Sequence, residues 1–316
     1  MVCKCGKKTY YKRKYEGIEL CKKCFVKSIE KKIKRNIRKN KLLSKNDKIC
    51  VALSGGKDSI SCLYVLNEIV KKRKDMKIFA IAIDEGIGEY RKKTLNKAKE
   101  FCKMMNIPLK LYSFKEEFAK SLPEILKNEK LNACTYCGVL RRYLLNKKAR
   151  ENKATKLAFG FNLNDEAESI FLNFIFGNLD KFLRLGPKVE NKEIKKFVPR
   201  IKPLREIPEE EIFAYCDALN LPYYPKKRCP YGKESVRKTI RKFLYELEEK
   251  YPGSLFQIVK FADLLIPSLR KEFYKKGKIK YCKICGEPSS RKICKVCELL
   301  ANPEMTRTAY KDLKDF

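Results

Sequence analysis

Lys48-Ile49-Cys50-Val51-Ala52-Leu53 is a short apolar run that leads directly into Ser54-Gly55-Gly56-Lys57-Asp58-Ser59. Beyond it, Ile60, Leu63, Tyr64, Leu66, Asn67 and Val70 recur at three- and four-residue spacing, the period of a helix. A buried strand, a glycine pair and a helix in that order commit the chain to a parallel α/β sheet. They also set backbone N–H groups and the positive end of a helix dipole at the strand's C-terminal end, where phosphate binds. Gly55 and Gly56 let the backbone come close to a ligand. Ser54 and Ser59 add hydroxyls, Lys57 adds a cation, and Asp58 suits orienting the loop or a magnesium ion. The string is not a Walker A loop, which needs G-x4-G-K-[ST].

The alternation continues downstream. Strands are expected at 78–83, 109–113, 156–159 and 197–201, and helices at 93–105, 114–126, 139–151, 165–176 and 208–219. Repeated βα units predict a doubly wound parallel sheet with ligands at the strands' C-terminal ends. The glycine loop, Asp84 and Asp165 each follow a strand, and Cys134 opens a later helix, so one crevice can gather them all. Residues 181–196 read as a loop and 221–277 as mostly helical. A basic helix over 31–45 carries an apolar stripe of Ile29, Ile33 and Ile37, and suits either a solvated face or a phosphate-contacting arm. The expected organisation is a metal module at 1–30, a nucleotide-binding domain at 31–220, a helical region at 221–277 and a second metal module at 278–316.

The 15 cysteines sort by spacing. Cys282, Cys285, Cys294 and Cys297 form C-x2-C-x8-C-x2-C, a four-thiolate zinc pattern, with Gly286 suited to the knuckle turn. Cys3, Cys5, Cys21 and Cys24 form a second set with a closer first pair, also read as zinc. Both are read as structural, because such small modules fold around their ion. Cys50, Cys62, Cys102 and Cys216 sit in apolar patterns as core residues. Cys134, Cys137 and Cys229 have polar or basic neighbours, expected to favour thiolates. Three thiolates can ligate three irons of a four-iron cluster and leave the fourth open. They also suit a redox pair with a persulfide carrier, or a third zinc with an acidic ligand.

Lysine and arginine exceed aspartate and glutamate by 36 charges, so a polyanion, nucleic acid first, is the expected partner. The absence of histidine excludes Ser-His-Asp triads, His-Glu-x-x-His metalloproteases and His-ligated zinc fingers. With no leader pattern and no long apolar span, a reducing cytoplasm and no membrane are expected.

The six-residue loop matches the PP-loop, S-G-G-x-D-S, of ATP pyrophosphatases. With the terminal cysteine modules, Asp84-Glu85-Gly86-Ile87-Gly88-Glu89-Tyr90, the C-x2-C pair and Cys229, the chain resembles the TtcA/TtuA branch of tRNA 2-thiouridine synthetases over nearly its whole length. Cys134-Thr135-Tyr136-Cys137-Gly138-Val139-Leu140-Arg141-Arg142 resembles the archaeal and eukaryotic cytosolic group that thiolates the wobble uridine. Gly160-Phe161-Asn162-Leu163-Asn164-Asp165-Glu166-Ala167 resembles the family's G-H-N-x-D-D-x-A, with Phe161 and Asn164 as departures.

The resemblance implies ATP-dependent replacement of a uridine 2-oxygen by sulfur. It assigns ATP to Ala52, Ser54, Gly55, Gly56, Lys57, Asp58, Ser59, Ile83, Asp84 and Gly160, with Ala52 and Ile83 reading adenine through their backbone. A [4Fe-4S] cluster falls to Cys134, Cys137 and Cys229, charge stabilisation to Lys57 and Arg141, and orientation of uridine or ATP to Asp165. Mg2+, two Zn2+, a tRNA, a ubiquitin-like sulfur carrier or sulfide, and a homodimer complete the expectation. The alternatives are a T-loop uridine, a cytidine as in the bacterial TtcA enzymes, persulfide chemistry without a cluster, and a non-catalytic RNA-binding zinc protein.

Overall fold

A computed structural model describes residues 2–127, 133–190, 194, 196–225, 229–231, 236–273 and 280–300. The expectations for Asn132, Lys226 to Arg228, parts of the 181–196 loop, 274–277 and the tail from 301 lie outside the described residues.

The chain opens with a hairpin, β1 (Tyr11–Arg13) and β2 (Ile18–Leu20), followed by α1 (Lys22–Lys39). The sheet core comprises β3 (Lys48–Ala52), α2 (Lys57–Val70), β4 (Lys77–Asp84), α3 (Gly88–Met105) and β5 (Leu109–Ser113). Two short helices, α4 (Phe114–Phe118) and α5 (Leu122–Leu126), replace the single helix expected there. Ser113 and Ser121 each cap one of them with a capping box, so the chain restarts at Ser121 rather than continuing. Then come α6 (Ala133–Glu151), β6 (Lys156–Ala158), α7 (Leu163–Ile175), α8 (Leu179–Phe182), β7 (Lys188–Val189), β8 (Arg200–Ile201) and α9 (Glu209–Ala218). Helices α10 (Val236–Lys250) and α11 (Ser254–Phe273) precede β9 (Lys280–Tyr281), β10 (Pro288–Ser289) and α12 (Lys295–Leu300).

The main sheet has the order β5-β4-β3-β6-β8-β7, parallel except for β7, which pairs antiparallel with β8. Strand β7 lies inside the segment read as a loop. It spans two residues, too few to show an alternating pattern. The chain winds outward from β3 through β4 to β5, then returns to β6 on the other side of β3. That reversal opens a crevice at the C-terminal ends of β3 and β6.

Alternation along β3 sends Ile49 and Val51 to one core layer, with α1, α2 and α9, and Cys50 to the other, with α6. All four cysteines read as core residues are buried. Helix α1 begins nine residues before the expected basic helix and runs through residue 30. Its stripe, Ile29, Ile33 and Ile37, is buried in the α2/α9 layer, and Asn36 donates to the carbonyls of Lys202 (3.1 Å) and Pro203 (2.9 Å). This is a docked helix rather than a free arm. A third apolar cluster joins α7, α10 and α11.

Candidate active site

Both cysteine quartets close. In each, the four sulfurs lie within 4.8 Å of one another. Cys5 is 3.5 Å from Cys3 and from Cys21; Cys282 is 3.8 Å from Cys297 and Cys285 3.6 Å from Cys294. A zinc–sulfur bond of about 2.3 Å puts the edge of a tetrahedron at about 3.8 Å, so both quartets fit one ion each. Amide N–H groups of Cys5 and Cys21 draw the Cys3 thiol down to about 6, and the Cys297 thiol draws Cys294 down to about 5. Each module is anchored. Arg13, 1% exposed, pairs with fully buried Glu211 of α9 at 2.6 Å. Arg150 of α6 donates to Glu287 at 2.9 Å, and Lys196 to the Gly286 carbonyl at 2.6 Å.

The crevice between β3 and β6 is a cavity of about 510 Å³. Its floor is the loop between β3 and α2. Gly55 has φ +87°, and a Cβ there would lie 1.9 Å from the Thr94 carbonyl oxygen. The Ser54 N–H donates to Ser59 Oγ at 3.1 Å, and the two hydroxyls are 3.0 Å apart. Arg91 of α3 donates to the Ser54 carbonyl at 2.9 Å and, through Nε, to the Ile83 carbonyl at 2.8 Å, stapling the loop to the end of β4. On the opposite side Gly160 packs on α2: a Cβ would lie 2.6 Å from the Asp58 carbonyl oxygen.

Lys57 is buried between two carboxylates, Asp58 at 2.7 Å and Glu209 at 2.8 Å, with its Nζ 4.4 Å from the Phe213 ring centre. Burial works against its charge, but Asp58 and Glu209 outweigh burial and raise its pKa. Tyr245 of α10 donates to the other oxygen of Glu209. Asp165 closes a capping box with Asn162, whose side chain also donates to Asp58 at 2.9 Å. Burial first, then the Asp58 charge, push Asp165 up to about 7. Asn164, a departure from the family pattern, accepts from the Glu209 N–H at 2.9 Å and so fixes where α9 begins. Phe161, the other departure, stacks on Phe159 outside the cavity.

Cys134 and Cys137, on the first turns of α6, and Cys229 share the opposite wall with Arg141. Burial pushes Cys137 up to about 11 and raises Cys229, against the pull of Arg141. For these two thiols desolvation outweighs the basic neighbours. The three sulfurs do not form a tight group like the terminal quartets. Glu85, 2% exposed, lies 2.7 Å from Arg91 and 3.3 Å from Arg141.

The sequence model of the PP-loop domain family matches residues 26–248. The chain belongs to that family. A probable sulfurtransferase from Methanocaldococcus jannaschii is 40% identical, covering 95% of this chain and 87% of its own length. The tRNA-5-methyluridine(54) 2-sulfurtransferase of Pyrococcus horikoshii is 36% identical over 94% of this chain and 93% of its own. The solved structure of the U34-tRNA thiolase NcsA from Methanococcus maripaludis with its [4Fe-4S] cluster matches with a TM-score of 0.82 at 36% identity, covering 95% of each chain.

Of the residues expected around ATP, Ser54, Gly56, Lys57 and Asp58 of the PP-loop line the cavity, as do Arg141, Asp165 and the three cysteines. Ala52, Gly55, Ser59, Ile83, Asp84 and Gly160 do not. The Ile83 carbonyl already accepts from Arg91, and Asp84 accepts from the Gly86 N–H at 2.8 Å. Sequence reasoning missed Glu85, Arg91, Glu209 and Tyr245. Glu85 stands beside Asp84 in a segment already singled out; the other three are scattered along helices and carry no local signal.

Proposed function

We propose that this chain is an ATP-dependent tRNA 2-sulfurtransferase that acts on the wobble uridine. One observation carries the reading: a single cavity joins the PP-loop to Cys134, Cys137 and Cys229. A nucleotide-activating loop and a three-cysteine wall facing one space suit a reaction that first activates an oxygen and then delivers sulfur to the same carbon. The wobble assignment is supported by the NcsA structure, which matches along nearly the whole chain. The T-loop reading has its own support in the Pyrococcus horikoshii relative.

The uridine 2-oxygen attacks the α-phosphate of ATP, the bond to pyrophosphate breaks, and an adenylated base forms. A sulfur nucleophile then adds at C2, and AMP leaves with the oxygen. The N–H groups at the start of α2 and the Ser54 hydroxyl receive the departing pyrophosphate. Lys57 exchanges its contacts with Asp58 and Glu209 for phosphate oxygens, and Arg141 meets negative charge on the far side. Asp165 faces the same space and orients uridine or ATP. Magnesium would spread the phosphate charge. Cys134, Cys137 and Cys229 would hold the [4Fe-4S] cluster, which would supply iron for binding the sulfur.

The terminal quartets hold structural zinc in this reading. The donor is a ubiquitin-like sulfur carrier or sulfide, and the protein works in the cytoplasm. Among the described residues no helix is long and apolar enough to cross a membrane. A homodimer is supported by the apolar residues that α7 and α11 leave exposed, Phe174, Phe261 and Leu264 among them. The test is an oxygen-free reaction of iron-loaded protein with ATP, magnesium, sulfide and unmodified tRNA, read by nuclease digestion and mass mapping. Thiouridine at the wobble position is expected; thiouridine in the T-loop moves the target. Unchanged thiolation in Lys57→Ala refutes the ATP role.

A further inference from the structure

A second cavity, of about 260 Å³, lies between α6 and the C-terminal zinc module. Its charged lining is Arg142, Arg200, Arg291, Lys295 and Glu287. The lone acid is already taken, since Glu287 binds Arg150 at 2.9 Å. Arg291 and Lys295 have Glu298 at 2.7 and 2.6 Å. Arg142 and Arg200 differ: among the described residues neither makes an ion pair. Burial and the charge of Arg142 depress the pKa of Arg200, and burial with the charges of Arg141 and Arg237 depresses that of Arg142. An exposed Arg142 and a half-buried Arg200 lining one cavity without an ion-paired carboxylate are an arrangement that an added anion stabilises.

The position of Arg142 links this cavity to the first. Its two terminal guanidinium nitrogens come within 3.4 and 3.6 Å of where a Cβ on Gly138 would sit, and Gly138 follows Cys137 in the active-site wall. Ser289 and Ser290 add hydroxyls to the lining, and Phe197 and Pro288 add apolar walls beside the cations. A planar guanidinium matches phosphate oxygens in a fork, and an apolar wall suits ribose or base. With an excess of 36 positive charges over the chain, the anion most in keeping is a nucleic-acid phosphodiester.

We propose that Arg142 and Arg200 form a phosphodiester clamp for the tRNA strand whose base enters the main cavity, an assignment that rests on the sulfurtransferase reading. It makes the zinc module one wall of an RNA site as well as a structural cap.

The test is tRNA binding by the full zinc-loaded chain, measured by fluorescence anisotropy over a salt series. Arg142→Ala/Arg200→Ala is expected to weaken binding about tenfold and to flatten the slope of log K against log salt by about two, since each phosphate contact contributes about 0.7–0.9 to it. Arg142→Lys/Arg200→Lys is expected to recover most of the slope. Zinc content and melting temperature are measured beside it; should the alanine pair lose zinc, the glutamine pair carries the test. Wild-type affinity and slope in the alanine pair overturn the clamp while leaving the sulfurtransferase reading intact. Loss of inorganic phosphate binding by calorimetry, with tRNA binding unchanged, assigns the site to a free anion and overturns the RNA assignment. A wild-type chain that binds no tRNA takes both proposals down together.

Discussion

Three glycines around the PP-loop separate steric demand from ligand approach. An alanine at position 55 would adopt φ +87° and set its Cβ 1.9 Å from the Thr94 carbonyl oxygen, backbone that cannot rotate away. The left-handed conformation costs about 1–2 kcal/mol, and overpacking adds about 1–3 kcal/mol. Gly55→Ala is therefore expected to destabilise by about 2–5 kcal/mol. At position 160 the Cβ would meet the Asp58 carbonyl at 2.6 Å and the Ser59 nitrogen at 2.9 Å, with no strained φ. Overpacking alone puts Gly160→Ala at about 1–3 kcal/mol. At position 56, with φ −86° and ψ 162°, the nearest atom is the Ser54 hydroxyl at 3.6 Å, so alanine fits. Stability in Gly56→Ala should match wild type or exceed it by about 0.4–1 kcal/mol. Yet Gly56 lines the cavity, and a methyl group there stands where phosphate must approach the N–H groups. We expect ATP affinity to fall at least tenfold in Gly56→Ala. Urea unfolding of zinc-loaded protein gives the stability order, and calorimetric titration with ATP gives the affinities. Wild-type stability in Gly55→Ala, or wild-type ATP affinity in Gly56→Ala, would refute the reasoning.

Glu211→Ala should destabilise by about 3–5 kcal/mol, because it removes the buried partner of Arg13 and leaves that charge only Glu16; an equal melting temperature would show the pair to be dispensable. Asp165 titrates at about 7 in the fold against 3.8 free, so its stabilising contribution is full below pH 3.8 and is lost as pH rises through about 7. Burial first, then Asp58 and Glu168, drive that rise against the Asn162 N–H and Arg241, so the melting temperature of Asp165→Asn should gain on wild type between pH 5 and 8; a constant gap would contradict it. Metal analysis should find one zinc per quartet, and Cys282→Ser should lose the C-terminal ion while keeping the N-terminal one.

Local signals served well where one short segment carries the physics. The strand-loop-helix at 48–70 needs a glycine pair and a change from strand to helix period, and both are visible in the string. The terminal quartets are equally local, because knuckle spacing alone brings four sulfurs together. Boundaries were less legible. Helix α3 starts at Gly88, five residues before its expected start at Lys93. The helix expected from Asp165 starts at Leu163, because Asn162 takes the cap and Asp165 its third position.

The sequence by itself determined the α/β class, the PP-loop and the two cysteine quartets, because each depends on neighbours a few residues away. Tertiary structure alone decided what surrounds them. Lys57 meets Glu209 across 152 positions, Arg13 meets Glu211 across 198, and Arg142 and Arg200 line one cavity. It also decided that burial raises the Cys137 pKa, since desolvation depends on everything packed around the sulfur and not on the residues beside it in the chain.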